Sequence, residues 1–172
     1  MCIIIVKPAG VKIPDYSTIC KCATNNPDGF GFAVPKQKPF KTLDFDKFAN
    51  KLYECSDDEP MIIHFRRATH GTIKPTNCHP FRDDYVGVSF AHNGILNVKP
   101  IGDKTDSETA FRNLLIPNAI WFGIFTKDFD NAVKSIIGYS KFAFLTDKGQ
   151  LKTYGDFIKH KGCLYSNQSF MW

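Results

Sequence analysis

The chain has 172 residues, of which 43% are hydrophobic and 23% charged, a composition that excludes a disordered, collagen-like or coiled-coil protein. Its net charge of +5 comes from scattered lysines rather than one basic tract, so nucleic acid is not an expected partner. No apolar run approaches the roughly 20 residues that span a bilayer, and no basic segment followed by a long apolar one opens the chain; neither a membrane span nor a signal peptide is expected, and a cytoplasmic protein is the default.

In chain order, residues 2–7 form a β-branched run ended by Pro8 and Gly10, the pattern of a buried strand. Pro14 and Asp15 open a helix expected to reach Ala23, stopped by the turn-forming Asn25-Asn26-Pro27-Asp28-Gly29. A strand follows over 30–34, then a helix over 44–55 with Asp44 as its cap and Phe45, Phe48, Leu52 and Tyr53 at helical spacing. Residues 61–66 and 85–91 read as strands separated by a polar loop. A helix starting at Asp106 or Ser107 carries Ala110, Phe111, Leu114 and Leu115, and another covers 129–137. The chain closes with strands over 140–146 and 150–154, joined by the turn Asp147-Lys148-Gly149, and a last strand over 163–166. Strands near both ends with helices between them predict one α+β domain over 1–172 with largely antiparallel sheets. With 16 phenylalanines, its interior is expected to be built largely on Phe.

Six cysteines without a secretory signal do not suggest a disulfide framework, and Cys20-Lys21-Cys22 lacks the second cysteine pair of a zinc ribbon. Cys2 is of interest for its position. If Met1 is removed, its α-amine, with an ordinary pKa of about 7.7–8.0, can serve as base to its own thiol. Taken alone, Cys2 reads more simply as a small buried side chain on a strand. Residues 64–71, His-Phe-Arg-Arg-Ala-Thr-His-Gly, break out of a strand, and Arg66 offers a planar donor fork suited to a carboxylate or a phosphate. Asn93-Gly94 at a strand end is either a turn or a side-chain amide beside a backbone N–H, the two donors that an oxyanion needs. Asp106-Ser107-Glu108 suffices as a helix start, and an acid there can also hold an ammonium group. His64, His70, His79 and His92 match no common metal-ligand spacing.

Read together, Met1-Cys2, Asn26-Pro27-Asp28-Gly29-Phe30-Gly31, Arg66-x-Ala68-Thr69-His70-Gly71, Asn77-x-His79-Pro80, His92-Asn93-Gly94, Asp106-Ser107-Glu108 and Tyr165-Ser166-Asn167 closely resemble the class II glutamine amidotransferases, whose glutaminase domain is an N-terminal nucleophile hydrolase. The resemblance implies a four-layer αββα sandwich. By position it makes Cys2 the nucleophile with its α-amine as base, and Asn93 and Gly94 the oxyanion hole. It makes Arg66 the grip on the substrate α-carboxylate and Asp106 the grip on its α-ammonium. Thr69 and His70 fall in the pocket segment. Arg67 departs from the aromatic residue often found there.

The implied reaction is hydrolysis of L-glutamine through a γ-glutamyl thioester, with no metal or organic cofactor and with ammonia passed to a separate synthetase partner. One alternative is a hydrolase of γ-glutamyl amides or peptides without ammonia transfer, which the Asn-Pro-Asp-Gly-Phe-Gly segment also resembles. Another, of a different class, is a non-catalytic binding module that retains the fold.

Overall fold

The fold is taken from a computed structural model, which describes residues 1–68 and 72–172. Strand β1 (Ile3–Lys7) is buried along its whole length, and its alternating side chains serve two cores. Ile3 and Ile5 pack toward helix α1 (Tyr16–Asn25), with Ile19, Cys22 and Ala23. Ile4 and Val6 pack in the opposite direction. Each fully buried isoleucine here contributes roughly 1.5–3 kcal/mol. Asp15 caps α1 by accepting from Thr18 N at 2.9 Å. The helix runs two residues past the expected Ala23 because it ends where Asn26 folds back, its N–H and side-chain amide donating to the Ala23 and Cys22 carbonyls.

Next come β2 (Phe30–Ala33) and a short β3 (Phe40–Thr42), which three half-buried residues did not announce in the sequence. Helix α2 (Phe45–Tyr53) starts on its Asp44 cap and lays Phe48 and Leu52 into the same core as α1. Strand β4 (Met61–Phe65) pairs with β1 from Ile3↔Phe65 to Lys7↔Met61.

The strand expected over 85–91 is displaced: β5 (Phe81–Asp83) and β6 (Val88–Asn93) form a hairpin, and residues 84–87 are its turn. Asp83 drives this by accepting Val86 N on its side chain and Gly87 N on its carbonyl. As a result β6 continues through His92 and Asn93, so Asn93 sits on a strand rather than in a turn.

Helix α3 (Asp106–Ala110) begins on a Thr105 cap and passes into a π-helical turn at Phe111–Leu115, ahead of α4 (Ile116–Phe122). Pro117 has no N–H to give, and a widened turn before it accommodates that loss. The wider turn also shifts phase: Ala110, Phe111 and Leu115 are buried as expected, while Leu114 is 37% exposed. Helix α5 (Lys127–Ile137) is capped by Thr126. The chain ends with β7 (Lys141–Thr146), β8 (Leu151–Tyr154), an unforeseen β9 (Ile158–His160), and β10 (Cys163–Tyr165).

Among the described residues all strand pairings are antiparallel, in a six-stranded sheet ordered β3-β2-β4-β1-β10-β9 and a four-stranded sheet ordered β5-β6-β7-β8. Helices α1 and α2 cover the first sheet; α3, α4 and α5 cover the second. Between the sheets lie Ile4, Val6, Ala33, Ile62, Ala91, Ala143 and Leu145, three of them alanines that let the layers approach. The result is the expected αββα sandwich. Its core is heavily aromatic, with Phe48, Phe65, Phe81, Phe90, Phe111, Phe129, Phe142 and Phe144 fully buried. Among the described residues no helix is long and apolar enough to cross a membrane.

Candidate active site

Cys2 precedes β1 and Arg66 follows β4, so the pairing Ile3↔Phe65 brings the two to the same end of neighbouring strands. The Cys2 thiol lies against the adjoining backbone: Arg67 N donates to Sγ at 3.3 Å. Burial pushes the thiol above its ordinary pKa, and the Arg67 N–H, the terminal amino group and the Arg66 guanidinium partly offset that rise. Arg66 is only 4% exposed. Its backbone is strapped on both sides, Arg66 N donating to Gly29 O at 2.8 Å and Asp28 N donating to Arg66 O at 3.0 Å. Its guanidinium donates to Thr72 O at 3.0 Å, a carbonyl that also accepts from Asn77 Nδ2.

This geometry explains the Asn-Pro-Asp-Gly-Phe-Gly segment. Asp28 accepts from Ala68 N at 2.8 Å and so fixes the chain just beyond Arg66. Gly31 lies under the 78–80 segment, where an added Cβ would stand 2.2 Å from His79 O and 2.9 Å from Phe40 O.

Asn93 and Gly94 end β6 on the other sheet. Asn93 is buried and its Nδ2 donates to Ser166 Oγ at 2.9 Å. Gly94 has φ +141°, and a Cβ there would meet Ser140 Oγ at 2.3 Å and the Ser140 Cα at 2.8 Å. Glycine is therefore required by the backbone, whatever its N–H does.

Asp106 stands at the start of α3. One carboxylate oxygen accepts from Ser107 N and Oγ at 2.8 and 3.2 Å, and the other from Leu96 N at 3.1 Å. A cavity of about 560 Å³ is lined by both Gly94 and Asp106, with Thr72 and Lys74 and an apolar wall of Ile95, Leu96, Val98 and Pro100. Cys2, Arg66 and Asn93 are not among the lining residues; Arg66 reaches the cavity edge through Thr72, and Asn93 adjoins Gly94. Thr69 and His70 lie outside the described residues.

His64, His79 and His92 are buried packing groups. His64 and His79 rings lie 4.4 Å apart, and His79 and His92 6.2 Å. Burial lowers His64 to about 3, His92 to about 4, and His79 well below its ordinary value. His92 Nδ1 meets Ser107 Oγ at 2.7 Å. Among the described residues no group of three or more His, Cys, Asp or Glu is arranged to hold a metal ion.

Sequence reasoning gave no role to Ser166, Asn167, Ser107 or Thr72, although Tyr165-Ser166-Asn167 and Asp106-Ser107 were visible as motifs. Asn167 Nδ2 donates to Cys2 O at 2.7 Å, tying the last segment of the chain to the first. Chemically, the arrangement offers a thiol, a guanidinium and a carboxylate of opposite charge, and a side-chain amide beside a glycine.

Comparisons with known proteins bear on family and on fold. Residues 52–134 match the class-II glutamine amidotransferases, a segment that contains Arg66, Asn93, Gly94 and Asp106 but not Cys2. No curated protein matches the chain by sequence. Among solved structures, the glutamine phosphoribosylpyrophosphate amidotransferase from B. subtilis, complexed with ADP and GMP, matches with a TM-score of 0.62 and 18% identity. The match covers 96% of this chain and 41% of that one, so this chain spans well under half the length of that relative. In its 52–134 segment and in its fold, the chain is similar to the class-II glutamine amidotransferases.

Proposed function

We propose that the chain hydrolyses the amide of L-glutamine, with Cys2 as the nucleophile. Free glutamine is a zwitterion with its amide at the far end, so a site must neutralise two opposite charges and hold the amide carbon against a thiolate. Arg66 binds the α-carboxylate and Asp106 the α-ammonium. The Cys2 α-amine, freed by loss of Met1, takes the thiol proton; the thiolate then adds to the γ-carbonyl carbon. Asn93 Nδ2 and Gly94 N–H stabilise the oxyanion. Collapse of the tetrahedral adduct breaks the C–N bond as the α-ammonium returns its proton to the leaving nitrogen. Ammonia departs, and water then cleaves the γ-glutamyl thioester to glutamate.

The observation that carries this reading is that Gly94 and Asp106 line one cavity, that Arg66 donates to Thr72 of its lining, and that Cys2 and Arg66 end neighbouring strands. By resemblance to the family, the ammonia passes to a separate synthetase. The test is glutamate and ammonia release by the wild-type chain and by Cys2→Ala. The reading requires turnover in the first and none in the second.

The apolar wall of Ile95, Leu96, Val98 and Pro100 favours a second reading, cleavage of γ-glutamyl amides with a larger leaving group. Values of kcat/KM for glutamine and for γ-glutamyl peptides separate the two. A Cys2 that does not react with an electrophilic glutamine analogue would instead fit a non-catalytic binding module.

A further inference from the structure

The Tyr165-Ser166-Asn167 segment is left unused by the reaction as written, yet its hydrogen bonds converge on the site. Ser166 is fully buried. Its Oγ accepts Ile4 N at 2.8 Å from the nucleophile strand and Asn93 Nδ2 at 2.9 Å from the other sheet. Its backbone is fixed as well: Ser166 N donates to Ile4 O at 2.9 Å, and Lys141 Nζ donates to Ser166 O. One hydroxyl thus joins the two sheets at the point where the nucleophile and the oxyanion donor must be held in register.

A primary amide nitrogen carries two hydrogens. In Asn93 one is anchored on Ser166 and the second is left to point elsewhere. The anchor matters because Asn93 Oδ1 is buried without a hydrogen-bond partner among the described residues. A buried unpaired acceptor costs about 1–3 kcal/mol, so an unanchored amide would rotate to satisfy it. The Ser166 hydroxyl accepts from both Ile4 N and Asn93 Nδ2, so the amide stands with its nitrogen toward Ser166.

We infer that Ser166 is a positioning residue for the oxyanion hole: it fixes the Asn93 amide relative to the nucleophile strand so that the second N–H of Nδ2 meets the developing oxyanion. The inference rests on the glutaminase reading above. Ser166 touches neither substrate nor the reacting atoms, and acts through Asn93.

The experiment is a double-mutant cycle on glutamine hydrolysis with Ser166→Ala, Asn93→Ala and the pair, with Met1 removed in every protein. Loss of a whole oxyanion donor costs on the order of 10²–10³ in kcat. Ser166→Ala is expected to lower kcat about 10- to 100-fold on that scale, with KM for glutamine unchanged. In the Asn93→Ala background it should lower kcat no further. Alkylation of Cys2 by iodoacetamide, which develops no oxyanion, should proceed at the wild-type rate in all four proteins. Ser166→Cys, which keeps a weaker acceptor at the same place, should restore part of the rate. Wild-type kcat in Ser166→Ala would overturn the inference, as would full additivity of the two substitutions or a matching loss of alkylation, either of which would put the effect of Ser166 on β1 instead. Absence of turnover in the wild type would overturn the glutaminase reading itself, a different outcome.

Discussion

Acidification to pH 5 should destabilise this fold well before its carboxylates titrate, because His64, His79 and His92 are buried neutral. In each, the folded pKa lies below the unfolded value of about 6.5. Between the two values the unfolded chain binds a proton that the folded chain does not, so stability rises with pH across that window and falls as pH is lowered through it. With His64 at about 3 and His92 at about 4, both remain neutral in the folded state at pH 5. Lowering pH from about 6.5 to about 5 then costs roughly 1.4 kcal/mol per pH unit for each of His64 and His92, or about 2 kcal/mol each, and His79 acts in the same direction. That is a large part of the stability of a typical domain, about 5–15 kcal/mol. The carboxylates held down by hydrogen bonds, Asp15, Asp130 and Asp147 among them, contribute stability that is lost only as pH falls through their unfolded value of about 3.9, below the range from about pH 6.5 to about 5 considered for the histidines. Urea unfolding at half-unit intervals between pH 7.5 and 5 reads the slope directly. His79, whose two ring nitrogens have no partner among the described residues, gives the control: His79→Leu should reduce the slope by about one proton. Equal unfolding free energies at pH 7.5 and 5 would refute the reasoning.

Arg66→Ala and Asp106→Asn should each raise the glutamine KM strongly, since leaving one member of a buried charge pair alone costs about 2–5 kcal/mol; unchanged KM in steady-state assays would remove that residue from the substrate site. Gly31→Ala should lower thermal stability by at least about 1–3 kcal/mol, because the new methyl group meets the His79 and Phe40 carbonyls rather than a flexible side chain; a wild-type melting curve would contradict the packing described. Met1 is 78% exposed and open to removal. A fixed N-terminal tag should abolish turnover and the same tag after Trp172 should not; full activity with Met1 retained, verified by intact mass, would exclude the α-amine as base.

The sequence disclosed most where local chemistry decides structure. Asp44 caps its helix as its side chain predicted, helices begin at the Asp15 and Asp106 start signals, and the apolar run from Ile3 to Val6 is buried on both faces. What it concealed depends on contacts between distant segments. Strands β3, β5 and β9 have three residues each and exist because a partner strand lies alongside, which no local period reports. The 85–91 strand was displaced because the Asp83 turn outweighed the β-propensity of Tyr85 and Val86. The residues proposed for the site, Cys2, Arg66, Asn93, Gly94 and Asp106, were legible in the sequence as an ordered set of motifs, through their resemblance to the family. The role of Ser166 was not, since its hydroxyl gains meaning only when Ile4 and Asn93, 162 and 73 residues away, converge on it.

The central claim is that Cys2, alone of six cysteines, forms a thioester with the substrate. Cys22, Cys78 and Cys163 are buried, and burial raises all three thiols, Cys22 to about 12 and Cys163 to about 11. The decisive measurement is treatment of the Met1-free chain with an electrophilic glutamine analogue, followed by intact-mass and peptide mass spectrometry, alongside ammonia release from glutamine. The account predicts one adduct per chain, on Cys2, forming in step with loss of ammonia release and slowed by excess glutamine. An adduct on another cysteine, or full inactivation with Cys2 unmodified, would contradict it.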